Sequence, residues 1–205
     1  MINKFLKAKH WQLFLLMVGI PILLQFYFIF TLISEAMNES NLKTPQYFKN
    51  FTYLPMLMTV FIIIFCLWIW SIAMGFQNKL LEQVKMKVKR FKWCFIFNLI
   101  YLPSYLIMFG FFMHELMSSN SNILIETNGQ TIYYITMSVL PLQLFDIFCI
   151  VYMLYFTSKT LKSIILQKDV TFSEYVEEFM LLMFYPIGIW ILQPKINQLF
   201  RDLNE

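Results

Sequence analysis

Asp146 is the residue with the most chemistry to explain. It stands inside the apolar run Ile132–Phe156, ten residues from Phe156, and is the only charged-type side chain deep in any such run. Ten residues are about 15 Å of helix, which is near the middle of a bilayer. An Asp there costs roughly 2.5–3.5 kcal/mol on insertion scales. No Lys, Arg or His lies at its depth in any apolar run, so no ion pair offsets that cost. The carboxyl must either stay protonated or hydrogen-bond, in a wet cavity or against another helix. Asn98, Tyr101 and Tyr105 recur at helical spacing in the preceding apolar run, with Tyr101 at matching depth, and Gln143 lies one turn before Asp146. Two chemistries fit this cluster. One is a proton or solute relay; the other is an interhelical hydrogen-bond clasp, worth about 1 kcal/mol.

A second constellation is cationic. Gln77–Lys92 holds six of the sixteen Lys and Arg residues, among them Lys85, Lys87, Lys89, Arg90 and Lys92. Each such cation near an anionic leaflet contributes about 1 kcal/mol. Leu81, Val84, Val88 and Phe91 recur at spacings of three and four, which predicts a helix lying flat on lipid. Val-Lys-Met-Lys-Val-Lys also alternates strictly, and a simple topology-setting loop fits equally.

Other reactive types lack partners at the right spacing. Glu177-Glu178 is a pair of the kind some intramembrane proteases carry, but no His lies within reach, and an acidic start answering a helix dipole accounts for it. His114-Glu115 has no second His four residues on for zinc. Cys66, Cys94 and Cys149 sit in apolar runs without metal-ligand spacing, as small buried hydrophobes do. Pro21, Pro103 and Pro141 each free a backbone carbonyl in mid-run, which lines cavities in some membrane helices and is inert in others. Neither a catalytic constellation nor a cofactor fingerprint is present.

The elements that must position these residues are membrane spans. The 205-residue chain is 59% hydrophobic and 14% charged, with a mean hydropathy of +0.62. Soluble domains carry roughly a quarter charged residues. The net charge of +4 clusters beside apolar runs without a base-readout motif, which argues against nucleic acid. Four spans are expected at about 11–34, 53–76, 91–117 and 132–157, in a single integral membrane domain. A cleaved signal peptide is the rival reading for the first, whose apolar run is long for one. Trp68 and Trp70 suit an aromatic belt.

The C-terminal part is ambiguous. Thr171-Phe172-Ser173-Glu174 reads as a capping box, with Val170 and Tyr175 placed for the hydrophobic staple, so a helix should start near Phe172. The apolar segment 172–192 narrows to 14 wholly apolar residues, Phe179–Leu192, about 21 Å of helix and short of a span. Gln193-Pro194 should then open an interfacial helix over 194–203. Positive-inside bookkeeping places 14 of 16 cations inside with four spans, and 12 of 16 with five. Four spans plus a membrane-embedded hairpin is the expected architecture, with five spans as the alternative.

Lys159-Thr160-Leu161-Lys162, Thr171–Tyr175, Phe184-Tyr185-Pro186-Ile187-Gly188-Ile189-Trp190 and Gln193-Pro194-Lys195-Ile196-Asn197 carry a resemblance over about residues 77–200. The chain resembles a group of small, uncharacterised bacterial multi-pass membrane proteins. The resemblance implies a bacterial membrane and brings no activity, ligand or catalytic residue with it.

The expectation is therefore an all-α polytopic bundle of the cell inner membrane with its N-terminus cytoplasmic. The expected partners are the lipid bilayer and other membrane proteins or further copies of the chain; no cofactor is implied. A non-enzymatic accessory or scaffold role comes first. A small-solute or proton-coupled transporter centred on Asp146 is the alternative.

Overall fold

The computed structural model describes residues 2–38, 53–80, 84, 86–118 and 129–203. Among them the regular elements are all helical, in an all-α bundle. Helix α1 (Ile2–Lys7) is followed by α2 (His10–Phe14), which runs through a π-helical turn at Leu15–Gly19 into α3 (Ile20–Asn38). Then come α4 (Tyr53–Gly75), α5 (Val88–Ser118), α6 (Gly129–Leu166), α7 (Phe172–Met183) and α8 (Tyr185–Asp202). Four stretches are long and apolar enough to cross a membrane: His10–Thr31, Leu57–Gly75, Val88–Phe112 and Met137–Leu166. The protein is a membrane protein.

The π turn in the first span has a local cause. Pro21 has no N–H, so the carbonyl of Met17 loses its usual partner four residues on, and the ladder reorganises just before it. Helix α6 reaches Leu166, well past the expected end of its span. It stops where Gln167 takes a left-handed φ of 51°, and the Lys168 N–H bonds back to the Ser163 carbonyl at 3.3 Å. That is the six-to-one closure of a Schellman end, here built on a non-glycine residue.

Packing is uneven along the bundle axis. Leu6, Trp68, Ile72, Phe76, Phe91, Phe156, Leu161, Leu182, Ile189 and Ile196 are all buried, and they cluster in the half nearest the lysines. In the opposite half Leu23, Phe26, Tyr27 and Phe30 of α3 are about two-thirds exposed. In water this would be a liability; in lipid it is an ordinary outer face.

Three features of the basic end go beyond the sequence reading. The first concerns residues 2–7: they form α1, whose Leu6 packs so closely on Gly75 that a Cβ there would lie 2.6 Å from Leu6 Cδ1. The second concerns Trp68, which is not a belt residue. It is fully buried, because its indole N–H finds a partner inside the protein. The third concerns the basic stretch. Residues 77–79 form one 3₁₀ turn, Val84, Met86 and Lys87 are non-helical, and α5 starts at Val88. Val84 is buried and Met86 packs on the core, so the stretch is pinned to the bundle there.

The C-terminal helices form a hairpin. Chain direction breaks at Phe184 (φ −95°, ψ 55°), and α8 runs unbroken through Pro194 where a new helix was expected. Pro186 lies in the first turn of α8, where a missing N–H costs nothing. Gly188 is what permits the fold-back: a Cβ there would sit 1.8 Å from the Leu181 carbonyl oxygen. The capping box at the start of α7 is present, with the Thr171 N–H donating to Glu174 Oε2 at 2.7 Å, and Val170 and Tyr175 are both buried. Beyond the bend, the Tyr185 ring lies 5.1 Å from that of Phe65, deep along α4. The far end of α8 returns to the basic end, where Lys79 Nζ donates to the Leu203 carbonyl at 2.8 Å. Both ends of this segment lie at the basic end of the bundle, so α7 and α8 form a helical hairpin.

Candidate functional site

The sequence-selected polar residues come together in two rungs. In the first, Asn98 Nδ2 donates to Asp146 Oδ1 at 2.9 Å, and Cys66 Sγ donates to Asn98 Oδ1 at 3.3 Å. One rung thus ties α4, α5 and α6. Cys66, Asn98 and Asp146 are all buried, Asp146 completely. Cys66 is more than a small hydrophobe here, since its thiol supplies the donor that the Asn98 carbonyl needs. Asp146 Oδ2 is buried without a hydrogen-bond partner among the described residues.

In the second rung, Tyr101 OH donates to Gln143 Oε1 at 3.3 Å. Asn98, not Tyr101, is the residue level with Asp146. Depth counted from the end of each apolar run misplaces the pair, because α5 begins three residues before its run and α6 continues ten residues past Phe156. Tyr105 joins neither rung through a described hydrogen bond. It stacks on Tyr101 at 6.1 Å between ring centres, with Phe109 beyond at 6.4 Å. Tyr105, Gln143, Phe109, Phe112 and Leu140 line an apolar cavity of about 460 Å³ next to the rungs. Asp146, one turn from Gln143, is fully buried and is not among the described residues that line it.

Of the cationic set, Lys87, Lys89, Arg90 and Lys92 are exposed around the start of α5. Lys85 lies outside the described residues. Helix N-termini repel cations, so these residues are not there to support α5.

A buried network that the sequence did not single out as a site lies on the basic side. Trp68 Nε1 donates to Gln193 Oε1 at 2.9 Å. Gln193 Nε2 in turn is placed against the carbonyls of Phe5 (2.9 Å) and Ala8 (3.0 Å) and against Asn197 Oδ1 (3.1 Å). Asn197 Nδ2 donates to the same Ala8 carbonyl at 3.0 Å. Helix α1 ends at Lys7, so the Ala8 carbonyl has no helical donor, while the Phe5 carbonyl also accepts from the Ala8 N–H at 3.3 Å. The Gln-Pro-Lys-Ile-Asn sequence held the signal: two amides four residues apart on one helical face.

Glu178, weighed in the sequence only as half of an acidic pair, has a partner that the sequence did not reveal. It is buried and paired with Lys162 Nζ at 2.8 Å, while the neighbouring Glu177 is exposed and lies 3.6 Å from Lys195. The acidic pair therefore answers lysines rather than a helix dipole. Among the described residues no group of His, Cys, Asp and Glu has the arrangement of a metal site. No family model, curated protein or solved structure matches the chain.

Proposed function

We propose that this is a non-enzymatic accessory or scaffold protein of a bacterial inner membrane, with both termini and the basic end in the cytoplasm. The observation that carries this reading is the complete burial of Asp146 in a rung with Asn98 and Cys66. A relay carboxylate must meet water or solute; this one is tied to its neighbours and fully buried. The orientation rests on the lysines gathered at one end. The working surface in this reading is the exposed cationic group Lys87, Lys89, Arg90 and Lys92, which suits anionic headgroups or an acidic protein partner.

A transporter is the second reading, favoured by one observation: Asp146 Oδ2 has no described partner, and the cavity begins one turn away at Gln143. The two readings separate in a deletion strain complemented with variants. A scaffold predicts that Asp146→Asn restores the wild-type phenotype, whereas joint reversal of Lys87, Lys89, Arg90 and Lys92 to Glu does not. A carrier predicts the opposite pair of results.

A further inference from the structure

The ion pair Lys162–Glu178 forms one wall of a second cavity, at the basic end of the bundle. The space is about 350 Å³ and lies between α6, α7 and α8. Lys162 comes from α6 and Glu178 from α7, while Lys195, Gln198, Leu199 and Asp202 come from a single face of α8. Spacings of three, four and seven residues place those four side chains in one stripe. Two cations and two carboxylates line the space, so its formal charge is balanced.

The groups are not all satisfied by one another. Glu178 uses Oε1 for Lys162, while its buried Oε2 has no hydrogen-bond partner among the described residues. A buried carboxylate oxygen without a donor is costly, and an incoming N–H would remove that cost. Lys195 is partly exposed, and its contact to Glu177 is long at 3.6 Å, which leaves ammonium hydrogens for an anion. Asp202 and Gln198 are exposed at the outer edge.

Depth also constrains the occupant. Lys162 lies sixteen residues past Asp146, about 24 Å along the helix. Half of a hydrocarbon core is about 15 Å, and the headgroup layer extends several ångströms further. With Asp146 near mid-membrane, Lys162 falls at or just beyond the headgroup layer.

We infer that this cavity binds a zwitterionic phospho-ammonium group, with the ammonium on Glu178 and Asp202 and the phosphate on Lys195. The group has the chemistry of a phosphatidylethanolamine headgroup, or of free phosphoethanolamine. The primary ammonium supplies the N–H donors that Glu178 Oε2 needs. A quaternary ammonium has none, and a glycerol headgroup has no cation. This inference does not depend on the role given to Asp146.

Native mass spectrometry of the intact protein, released from nanodiscs of equal phosphatidylethanolamine, phosphatidylcholine and phosphatidylglycerol, tests it. Phosphatidylethanolamine should be retained over each of the other two by about tenfold, the worth of one charge-assisted hydrogen bond. Lys195→Gln and Asp202→Asn, both on exposed side chains, should each reduce that preference while leaving the melting temperature unchanged. Glu178→Gln should abolish it. Equal retention of the three lipids, or a preference untouched by all three variants, would overturn the assignment. A competition arm identifies the source: displacement of the lipid by millimolar free phosphoethanolamine points to a soluble ligand, and its failure to displace points to the bilayer lipid.

Discussion

The indole of Trp68 and the side-chain amide of Gln193 meet at 2.9 Å across 125 residues of chain. Through that amide the second span, the C-terminal hairpin and the N-terminal helix share one buried centre. Gln193→Leu leaves the buried Trp68 N–H without its partner, whereas the Phe5 carbonyl keeps the Ala8 N–H and the Ala8 carbonyl keeps Asn197. The expected loss is about 1–3 kcal/mol, the cost of one orphaned buried group. Thermal melting in nanodiscs measures it. A variant as stable as the parent would show that the network contributes nothing to stability.

Gly188 and Gly19 make a matched pair. A Cβ at Gly188 would lie 1.8 Å from the Leu181 carbonyl oxygen, whereas one at Gly19 would meet nothing closer than 3.7 Å. Backbone cannot yield as a flexible side chain does. Gly188→Ala should therefore cost at least about 3 kcal/mol or prevent accumulation, while Gly19→Ala should fall within about 0.5 kcal/mol of the parent. Equal melting temperatures for the two variants would refute the tight bend at Phe184.

Insertion of the α7–α8 hairpin from one side of the membrane makes a topological prediction. Ser173 opens α7 and Asp202 closes α8, and both are exposed. Single cysteines at these two positions should both be protected from an impermeant thiol reagent in intact cells and should both react with it in inverted vesicles. A fifth span would put them on opposite sides.

Much of this architecture was legible from composition and periodicity. Four apolar runs announced four spans, because lipid imposes length and polarity on each segment independently. The capping box at Thr171 was legible for a similar reason: its contacts lie within three residues. What escaped the sequence was long-range. Gln193 looked like the start of an interfacial helix because Pro194 suggests a break. In fact a proline ten residues into a helix that already bends at Phe184 is simply carried along. Trp68 looked like a belt residue because nothing local reveals a partner 125 positions away. In the Asp146 cluster the residue types were evident, but the pairing was displaced by one turn, since neither helix ends where its apolar run ends and run ends therefore do not fix the register between α5 and α6.

Glu174 should make the start of α7 sensitive to acid. The Lys168 ammonium, and then the Thr171 N–H, hold its carboxyl at about 2, well below the usual 4.5. A folded value below the unfolded one means the stabilisation is complete above about pH 4.5 and is lost as pH falls towards 2. Amide protection in residues 171–175, measured relative to the intrinsic exchange rate at each pH, should fall across that window in the parent. Glu174→Gln should already exchange faster at neutral pH and show no such transition. A parent profile as flat as that of the variant would contradict the cap.

The central claim is that Asp146 holds helices together through Asn98, and a double-mutant cycle tests it most directly. Melting is measured in nanodiscs for Asp146→Asn, Asp146→Leu, Asn98→Leu and the double Leu variant. Asn keeps a carbonyl where Oδ1 accepts from Asn98, so Asp146→Asn should stay within about 0.5 kcal/mol of the parent. Asp146→Leu should lose about 1 kcal/mol, with a coupling of similar size between positions 98 and 146. Strict additivity of the two Leu substitutions, or an Asn variant as unstable as the Leu variant, would contradict the clasp.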